Sequence, residues 1–231
     1  MNIKAMNIMS FIKKRKNAEN NLKLTPLMII KRGDYLYHFS FWIYGLFYDI
    51  QLAGKSLNNT IINKSKDAYP VQSISYMYLI ELVKQLKYNP EDVFVDVGCA
   101  WGRMLGYLRK KTTISKFYGV ELNDEIAKQA KHFFEKDSKV EIISGNVLNN
   151  IPVDGTIFYL FNPFNADVLD AFLSALEKQI RHNVKVIYLH PTCSEIFEKH
   201  SDWKKIETIE LIPKKMGKLE MFVYQKNFDN G

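Results

Sequence analysis

The amino-acid sequence predicts an α/β domain built on a seven-stranded, mostly parallel β-sheet that ends in an antiparallel hairpin. Five short apolar runs alternate with helical segments, and strands joined by crossover helices form parallel sheets. The last two apolar runs, 203–212 and 219–226, are separated only by residues 213–218. So short a connection allows antiparallel pairing alone.

The predicted elements begin with a helix over 71–88, where apolar side chains recur at helical spacing. The first strand, 93–97, is a short and almost wholly apolar run, as a strand covered on both faces requires. Further helices are predicted at 103–111, 124–136, 167–181 and 194–199, and further strands at 117–121, 140–144, 156–161 and 184–190.

Length and composition indicate one globular domain with an extension. The chain has 231 residues, of which 47% are apolar and 25% charged, which excludes a disordered or fibrous protein. No 18-residue run lacks polar residues, which argues against a membrane-spanning helix. Two cysteines, Cys99 and Cys193, are too few for a disulfide framework or a four-ligand zinc site, and no metal site is predicted.

The net charge of +7 is confined to the N-terminal residues. Residues 1–33 contain eight basic side chains and one acidic side chain, whereas the rest of the chain contains 24 of each. A domain that binds duplex nucleic acid carries its excess positive charge on the folded face. Nucleic acid is therefore the less favoured class of partner.

Residues 1–68 are predicted to form a basic leader and an aromatic-rich helical extension, ahead of a domain over 69–231. The leader is either solvated, which we favour because its apolar stripe is short, or an amphipathic segment on an anionic membrane. The aromatic run 34–50 is expected to be a helix packed on the main domain, with a substrate-side lid and an interfacial anchor as alternatives. We expect a cytoplasmic protein, with peripheral contact at the inner face of the membrane as the alternative.

The turn after the first predicted strand is the most informative segment. Asp96 ends the strand, and Gly98 and Gly102 lie in the turn that leads into a helix. Ligands bind beyond the carboxyl ends of parallel strands, and glycine lets the backbone approach them closely. The segment matches neither a phosphate-binding P-loop nor a Gly-x-Gly-x-x-Gly turn.

Glu121 ends the second predicted strand and is the candidate for binding a ribose. An acidic side chain at this position can accept hydrogen bonds from both ribose hydroxyls. The alternative is that Glu121 stabilises the start of the next helix, although Asn123 or Asp124 can fill that role.

At these residues the chain resembles the class I S-adenosylmethionine-dependent methyltransferases, over roughly residues 69–226. The resemblance implies a Rossmann-like sheet and S-adenosyl-L-methionine as the cofactor, with the glycine turn around its methionine and ribose. Asn146 stands where the family more often has aspartate and would hold the adenine through its carbonyl oxygen. The cofactor-binding residues that the resemblance implies are Asp96, Gly98, Cys99, Ala100, Gly102, Glu121 and Asn146.

Asn162, Pro163 and Phe164 follow the fourth predicted strand and are the expected catalytic residues. They resemble the Asn/Asp-Pro-Pro-aromatic signature of amino-group methyltransferases, short of one proline. The asparagine side chain and the proline carbonyl can accept the N–H groups of an amine, and the aromatic ring can stack on the substrate. The alternative is that Asn162 and Pro163 only end the strand.

A narrower resemblance is to a poorly characterised bacterial group within the class. The features that carry it are the fourth-strand sequence LFNPF and the pairs Gly102–Arg103, Tyr48–Asp49 and Tyr69–Pro70. The pattern implies that Tyr69 reaches the cofactor or the substrate. His190, at the end of the fifth predicted strand, is either a proton acceptor near the substrate or a packing residue.

The sequence therefore predicts a methyltransferase whose acceptor is an amino nitrogen of a protein or a small molecule. The alternatives are an oxygen acceptor, for which His190 is the best-placed base, and a module that binds the cofactor without catalysis. A nicotinamide-dependent oxidoreductase is a further alternative, which the terminal hairpin disfavours.

Overall fold

A computed structural model describes residues 35–53, 57, 73–213 and 216–228, with side chains from Ile43 onward. The chain divides into two compact units, Met1–Ile43 and Tyr44–Gly231. Of the first unit the structure describes part of a helix, whereas the sheet and the remaining helices belong to the second unit. The basic leader, Tyr69 and Pro70 lie outside the described residues.

The strands lie where the sequence predicts them. In chain order they are β1 (Val93–Val97), β2 (Lys116–Glu121), β3 (Val140–Ser144), β4 (Ile157–Phe161), β5 (Val184–Leu189), β6 (Lys204–Leu211) and β7 (Leu219–Lys226). The helices are α1 (Tyr35–Ala53), α2 (Tyr76–Gln85), α3 (Arg103–Lys111), α4 (Asp124–Phe134) and α5 (Ala166–Gln179), with 3-10 turns at Val147–Asn149 and Ser194–Lys199.

All seven strands form one sheet in the order β3-β2-β1-β4-β5-β7-β6. The pairs among β1 to β5 are parallel, and β7 is antiparallel to both β5 and β6. The predicted fold class is therefore confirmed. β1 lies between β2 and β4, so the strand order reverses beside it, and ligands of open α/β sheets bind at such a switch point.

Alternating side chains of the strands build a core on each face of the sheet. On one face, Phe94 and Phe117 pack with buried side chains of α2, α3 and α4. On the other face, Val95 and Phe158 pack with buried side chains of α5. The three layers hold the strands in place, so the loops at their carboxyl ends are carried by a rigid frame.

The aromatic segment near the N-terminus is helical, and from Tyr44 onward it packs against the core. Tyr48 and Leu52 contact the cluster that contains α2, and the rings of Tyr48 and Tyr76 are stacked with centroids 4.9 Å apart. Phe47 and Ile50 are exposed on another side of the same helix. Among the described residues, no helix combines the length and apolar character that crossing a membrane requires.

Candidate functional site

The turn after β1 has the backbone geometry that its glycines predict. Gly98 and Gly102 have φ angles of 79° and 81°, in the left-handed region. The N–H of Gly98 donates to the carbonyl of Val120 at 2.8 Å, which anchors the start of the turn on β2. Gly102 is the residue before α3. The turn is therefore fixed to the sheet at one end and to a helix at the other.

Close packing also requires glycine at position 102. A Cβ atom there would lie 2.5 Å from Cε2 of Phe134, on α4. The glycine turn thus packs against α4 as well as facing the predicted ligand. Gly102 has a structural reason to be glycine, whatever the ligand.

Glu121 is buried, and its carboxylate faces the glycine turn. Oε2 accepts the N–H of Ala100 at 3.0 Å, and Oε1 accepts the N–H of Asn123 at 2.9 Å. Glu121 is only 3% exposed. Burial raises its pKa, while the backbone N–H donors, led by that of Asn123, oppose the rise. Asn123 caps α4 through its own side chain, and Glu121 holds the backbone of this capping residue.

Asp96 is buried at the end of β1 beneath the turn. It is 4% exposed, and burial, with a smaller effect of the Glu121 charge, raises its pKa to about 8. Tyr159 is its partner in the β1–β4 register, and the Tyr159 hydroxyl is buried with no hydrogen-bond partner among the described residues. Two buried polar groups thus lie side by side with capacity for a ligand or a water molecule.

Cys99 is buried within the turn, and its contacts indicate packing. Its sulfur lies 2.7 Å from the point that a Cβ atom on Gly119 would occupy. Burial, followed by the charges of Asp96 and Glu121, raises the pKa of the thiol. A thiol with a raised pKa is a weak nucleophile. Ala100, beside it, has a φ of 49° and donates its N–H to Glu121.

Asn146 lies at the same edge of the sheet, beyond the end of β3. In the pairing of β2 with β3, Glu121 lies opposite Ser144, the last residue of β3. Asn146 follows two residues later, at the same edge of the sheet as Glu121. Its Oδ1 accepts the N–H of Leu148 at 2.9 Å and begins a 3-10 turn. The side chain is exposed, and a contact with adenine would share this oxygen with the turn.

Asn162 follows β4, and its side-chain oxygen is already hydrogen-bonded within the protein. Oδ1 accepts the hydroxyl of Tyr188 at 3.0 Å and the hydroxyl of Thr192 at 2.7 Å. The N–H of Cys193 donates to the Tyr188 oxygen at 3.4 Å, which leaves the Tyr188 proton for Asn162. The sequence suggests that this amide oxygen is free to receive a substrate, but the structure gives it two hydroxyl donors.

Pro163 and Phe164 occupy different environments. Cβ of Pro163 lies 3.3 Å from the point that a Cβ atom on Gly98 would occupy, so the turns after β1 and β4 are in contact. Phe164 is 7% exposed, and its ring centroid lies 5.8 Å from that of Phe172 on α5. The ring expected to stack on a substrate is therefore packed in the core.

His190 is exposed at the end of β5, beside a cavity of about 320 Å³. Its backbone N–H donates to the backbone carbonyl of Glu220 at 2.8 Å. The cavity is lined by His190, Pro191, Thr192, Lys218, Leu219 and Glu220. Thr192 bonds to Asn162, so this cavity adjoins the turn after β4.

Among the described residues, three that are not glycine have left-handed φ angles, and all of them follow strands of the central sheet. Ala100, Asn162 and His190 have φ values of 49°, 42° and 54° and follow β1, β4 and β5. Such backbone costs about 1–3 kcal/mol at each position and is concentrated at functional sites. No sequence signal marks Ala100 for this conformation, whereas asparagine and histidine adopt it more often than other residues do.

The structure brings most of the predicted residues to one edge of the sheet, at the carboxyl ends of β1 to β5. Sequence reasoning missed Tyr159, Tyr188 and Thr192, which lie beside the predicted residues, because nothing in the local pattern indicates which side chains meet across strands. In the described segments, no group of three or more His, Cys, Asp or Glu side chains could hold a metal ion.

Comparison with known proteins supports this arrangement at the level of the fold. No protein-family model matches the chain. A crystal structure of an RNA methyltransferase from Salinibacter ruber, in complex with S-adenosyl-L-homocysteine, superposes with a TM-score of 0.54. The match covers 70% of this chain and 97% of that one, at 14% sequence identity. The chain shares a Rossmann-like fold with this methyltransferase.

Two relatives by sequence are named as lysine N-methyltransferases. One is a protein-lysine N-methyltransferase of Saccharolobus islandicus, 27% identical over 104 residues, which cover 44% of this chain and 63% of the relative. The other is a histone-lysine N-methyltransferase, H3 lysine-79 specific, of Caenorhabditis elegans, 25% identical over 126 residues, which cover 47% of this chain and 13% of the relative. The matches thus span less than two thirds of either relative.

Proposed function

We propose that this protein is a methyltransferase that uses S-adenosyl-L-methionine and methylates an amino nitrogen. The acceptor that we favour is the amine of a lysine side chain in a protein. The observation that carries the proposal is the buried carboxylate of Glu121, 3.0 Å from the N–H of Ala100 in the glycine turn. An acid at this position of a Rossmann-like sheet accepts ribose hydroxyls.

The residues at the edge of the sheet fit this cofactor. A carboxylate has about four acceptor positions, and the backbone N–H groups of Asn123, Ala100 and Leu122 favour its charged form, which leaves capacity for a ribose hydroxyl. Asp96 and the Tyr159 hydroxyl are buried polar groups that an amino group could satisfy. When bound, the cofactor supplies an electrophilic methyl group on a sulfonium sulfur.

Asn162 is proposed to orient the acceptor. Attack on the methyl group requires a neutral amine whose lone pair points along the breaking bond, and positioning supplies much of the acceleration. Tyr188 is buried and holds the amide oxygen from one side. Thr192 is exposed, so its hydroxyl can rotate away and leave its acceptor position to an N–H of the substrate amine. The carbonyl of Pro163 is the second proposed acceptor of an amine N–H.

The choice of a lysine amine rests on two observations. The two relatives are named as lysine N-methyltransferases, and the chain beyond residue 33 has equal numbers of acidic and basic residues. Equal numbers give no overall attraction to phosphate, which disfavours RNA as the acceptor. An oxygen acceptor would need a general base, for which exposed His190 is the candidate.

Calorimetry and methyl transfer test the proposal. We expect the purified full chain to bind S-adenosyl-L-methionine and S-adenosyl-L-homocysteine, but not NAD, and to transfer a labelled methyl group to lysine residues of an acceptor protein. Label in RNA or on a hydroxyl group would overturn the choice of acceptor. Binding without transfer across protein, RNA and small-molecule panels would indicate a non-catalytic module, and binding of NAD alone would indicate an oxidoreductase.

A further inference from the structure

A buried ion pair lies directly behind the glycine turn. Arg103, the first residue of α3, donates from Nε to Oδ1 of Asp49 at 3.0 Å and from Nη2 to Oδ2 at 2.5 Å. The two side chains are 4% and 1% exposed. Two parallel N–H donors to two carboxylate oxygens fix the orientation of both groups, whereas a single hydrogen bond would not.

Further hydrogen bonds hold both members of the pair. Asp49 accepts the N–H of Leu57 at 2.9 Å and the hydroxyl of Tyr76 at 2.6 Å. Arg103 donates from Nη1 to the carbonyl of Ile74 at 3.0 Å and lies over the Tyr76 ring, 4.9 Å from its centroid. A buried charge is tolerated when it is paired and hydrogen-bonded in this way.

The pair joins four separate parts of the chain. Asp49 belongs to α1 and Arg103 to α3. Leu57 binds Asp49, and the residues at the start of α2 bind both partners, through Tyr76 and Ile74. Ser73 also donates its hydroxyl to the carbonyl of Leu57 at 2.6 Å, which joins Leu57 to the residues just before α2.

Arg103 directly follows Gly102, the last residue of the glycine turn. Gly102 has a left-handed backbone, and the Phe134 ring packs close to it. Two residues earlier, Ala100 donates its N–H to Glu121. The turn is therefore held at Gly98 by β2, at Ala100 by Glu121, and beyond Gly102 by the ion pair with Asp49.

A second ion pair on the same helix provides a contrast. Arg109, two turns later on α3, pairs with Asp137 at 3.0 Å, and the two side chains are 34% and 29% exposed. Pairs that solvent reaches contribute little to stability. The Asp49–Arg103 pair differs from this second pair in its burial and in its position next to the turn. The Arg109–Asp137 pair is therefore a matched control.

We propose that Asp49 and Arg103 are positioning residues that hold the glycine turn in its cofactor-binding conformation, so that the part of α1 from Tyr44 onward supports the cofactor site. The inference rests on the proposed function, because it assigns the turn to S-adenosyl-L-methionine. The pair acts through Gly102 and does not itself touch the cofactor.

The test compares Asp49→Asn and Arg103→Lys with Asp137→Asn and Arg109→Lys in the full chain. In the first two variants we expect the Kd for S-adenosyl-L-homocysteine to rise about tenfold or more, the scale of a lost hydrogen bond to a charged group. In the two controls it should stay unchanged. At saturating cofactor the kcat should change little, because the groups that orient the acceptor are intact.

Hydrogen exchange in the cofactor-free protein gives a readout that is independent of activity. In Asp49→Asn and Arg103→Lys, amide exchange should accelerate in peptides that cover residues 96–106 and stay unchanged in peptides from β5 and β7. A lower Tm with unchanged Kd and unchanged exchange in the turn would overturn the inference and indicate a purely structural pair. If these variants do not fold, Tyr76→Phe, which removes one donor to Asp49, decides by the same two measurements.

The outcomes separate this inference from the proposed function. Wild-type protein that binds neither S-adenosyl-L-methionine nor S-adenosyl-L-homocysteine would contradict the proposed function. Wild-type protein that binds the cofactor, with Asp49→Asn and Arg103→Lys binding equally well, would contradict the positioning role alone.

Discussion

The carboxylate of Glu121 accepts the backbone N–H of Ala100 at 3.0 Å, which joins the end of β2 to the turn that follows β1. Because β1 and β2 are neighbours in the sheet, the acid and the turn are held in fixed relation by the strand pairing as well. The backbone donors to Glu121 favour its charged form and oppose the effect of burial. A charged acceptor beside a glycine-lined turn is suited to a ribose.

Glu121→Gln should weaken the binding of S-adenosyl-L-homocysteine by about 1–3 kcal/mol, because a charged acceptor of a ribose hydroxyl becomes neutral. Calorimetry measures the loss. Glu125→Gln is the matched control, since Glu125 is an exposed acid on the first turn of α4. Equal affinities of Glu121→Gln and the wild type would remove Glu121 from the cofactor site.

The two hydroxyls that donate to Asn162 should have different roles. Tyr188→Phe removes the buried donor that holds the amide, so we expect turnover to fall by about 5–10-fold, the effect of about 1 kcal/mol in positioning. Thr192→Val removes the exposed donor that the acceptor amine is proposed to replace, so kcat should stay within about twofold of the wild type.

Steady-state kinetics at saturating cofactor separates these two variants, with Thr113→Val, at another exposed threonine, as the control. Asn162→Ala should lower turnover further and leave cofactor affinity nearly unchanged. If Asn162→Ala reduced cofactor affinity and turnover alike, Asn162 would be a structural residue. A large loss of turnover in Thr192→Val would contradict the exchange of its hydroxyl for the substrate amine.

Gly102→Ala should destabilise the protein for two separable reasons. The φ of 81° costs a residue with a side chain about 1–2 kcal/mol, and the new Cβ atom would meet the Phe134 ring at 2.5 Å. Urea unfolding measures the sum. Combining Gly102→Ala with Phe134→Leu should recover the part that is due to the ring and leave the backbone part. A double variant no better than the sum of the single ones would contradict the steric explanation.

The strands could be predicted from the sequence because each is a short local run with a recognisable pattern. The bounds Val93–Val97 and Val140–Ser144 agree with the prediction residue for residue. The order of strands in the sheet could not be predicted in the same way. The sequence indicates that β6 and β7 pair, but the choice of β7 as the neighbour of β5 depends on packing between distant parts of the chain.

The site was predictable where a residue type is required by backbone geometry, and less so where side chains meet in space. Gly98 and Gly102 have the left-handed backbone that glycine favours. Phe164 belongs to a motif that predicts contact with the substrate, yet its ring packs on Phe172, because the direction of a side chain after a turn is set by the tertiary structure. For the same reason the buried pair of Asp49 and Arg103 could not be read from two charged residues so far apart in the chain.

Asp96 should make the stability of the cofactor-free protein depend on pH. Its pKa of about 8 in the folded state lies above the usual value of 3.8, so between these two values the folded state binds more protons than the unfolded state. Folding stability from this group therefore falls as pH rises from about 4 to about 8, and it levels off above that range.

Asp96→Asn removes the titrating group, so its stability advantage over the wild type should grow with pH. Between pH 5 and pH 9 the advantage of the variant should grow by about 2–5 kcal/mol, since each pKa unit corresponds to about 1.4 kcal/mol. Urea unfolding of both proteins at the two pH values gives the difference, in which the contributions of other groups cancel. A difference that is the same at both pH values would show that Asp96 titrates normally and has a hydrogen-bond donor or solvent beside it.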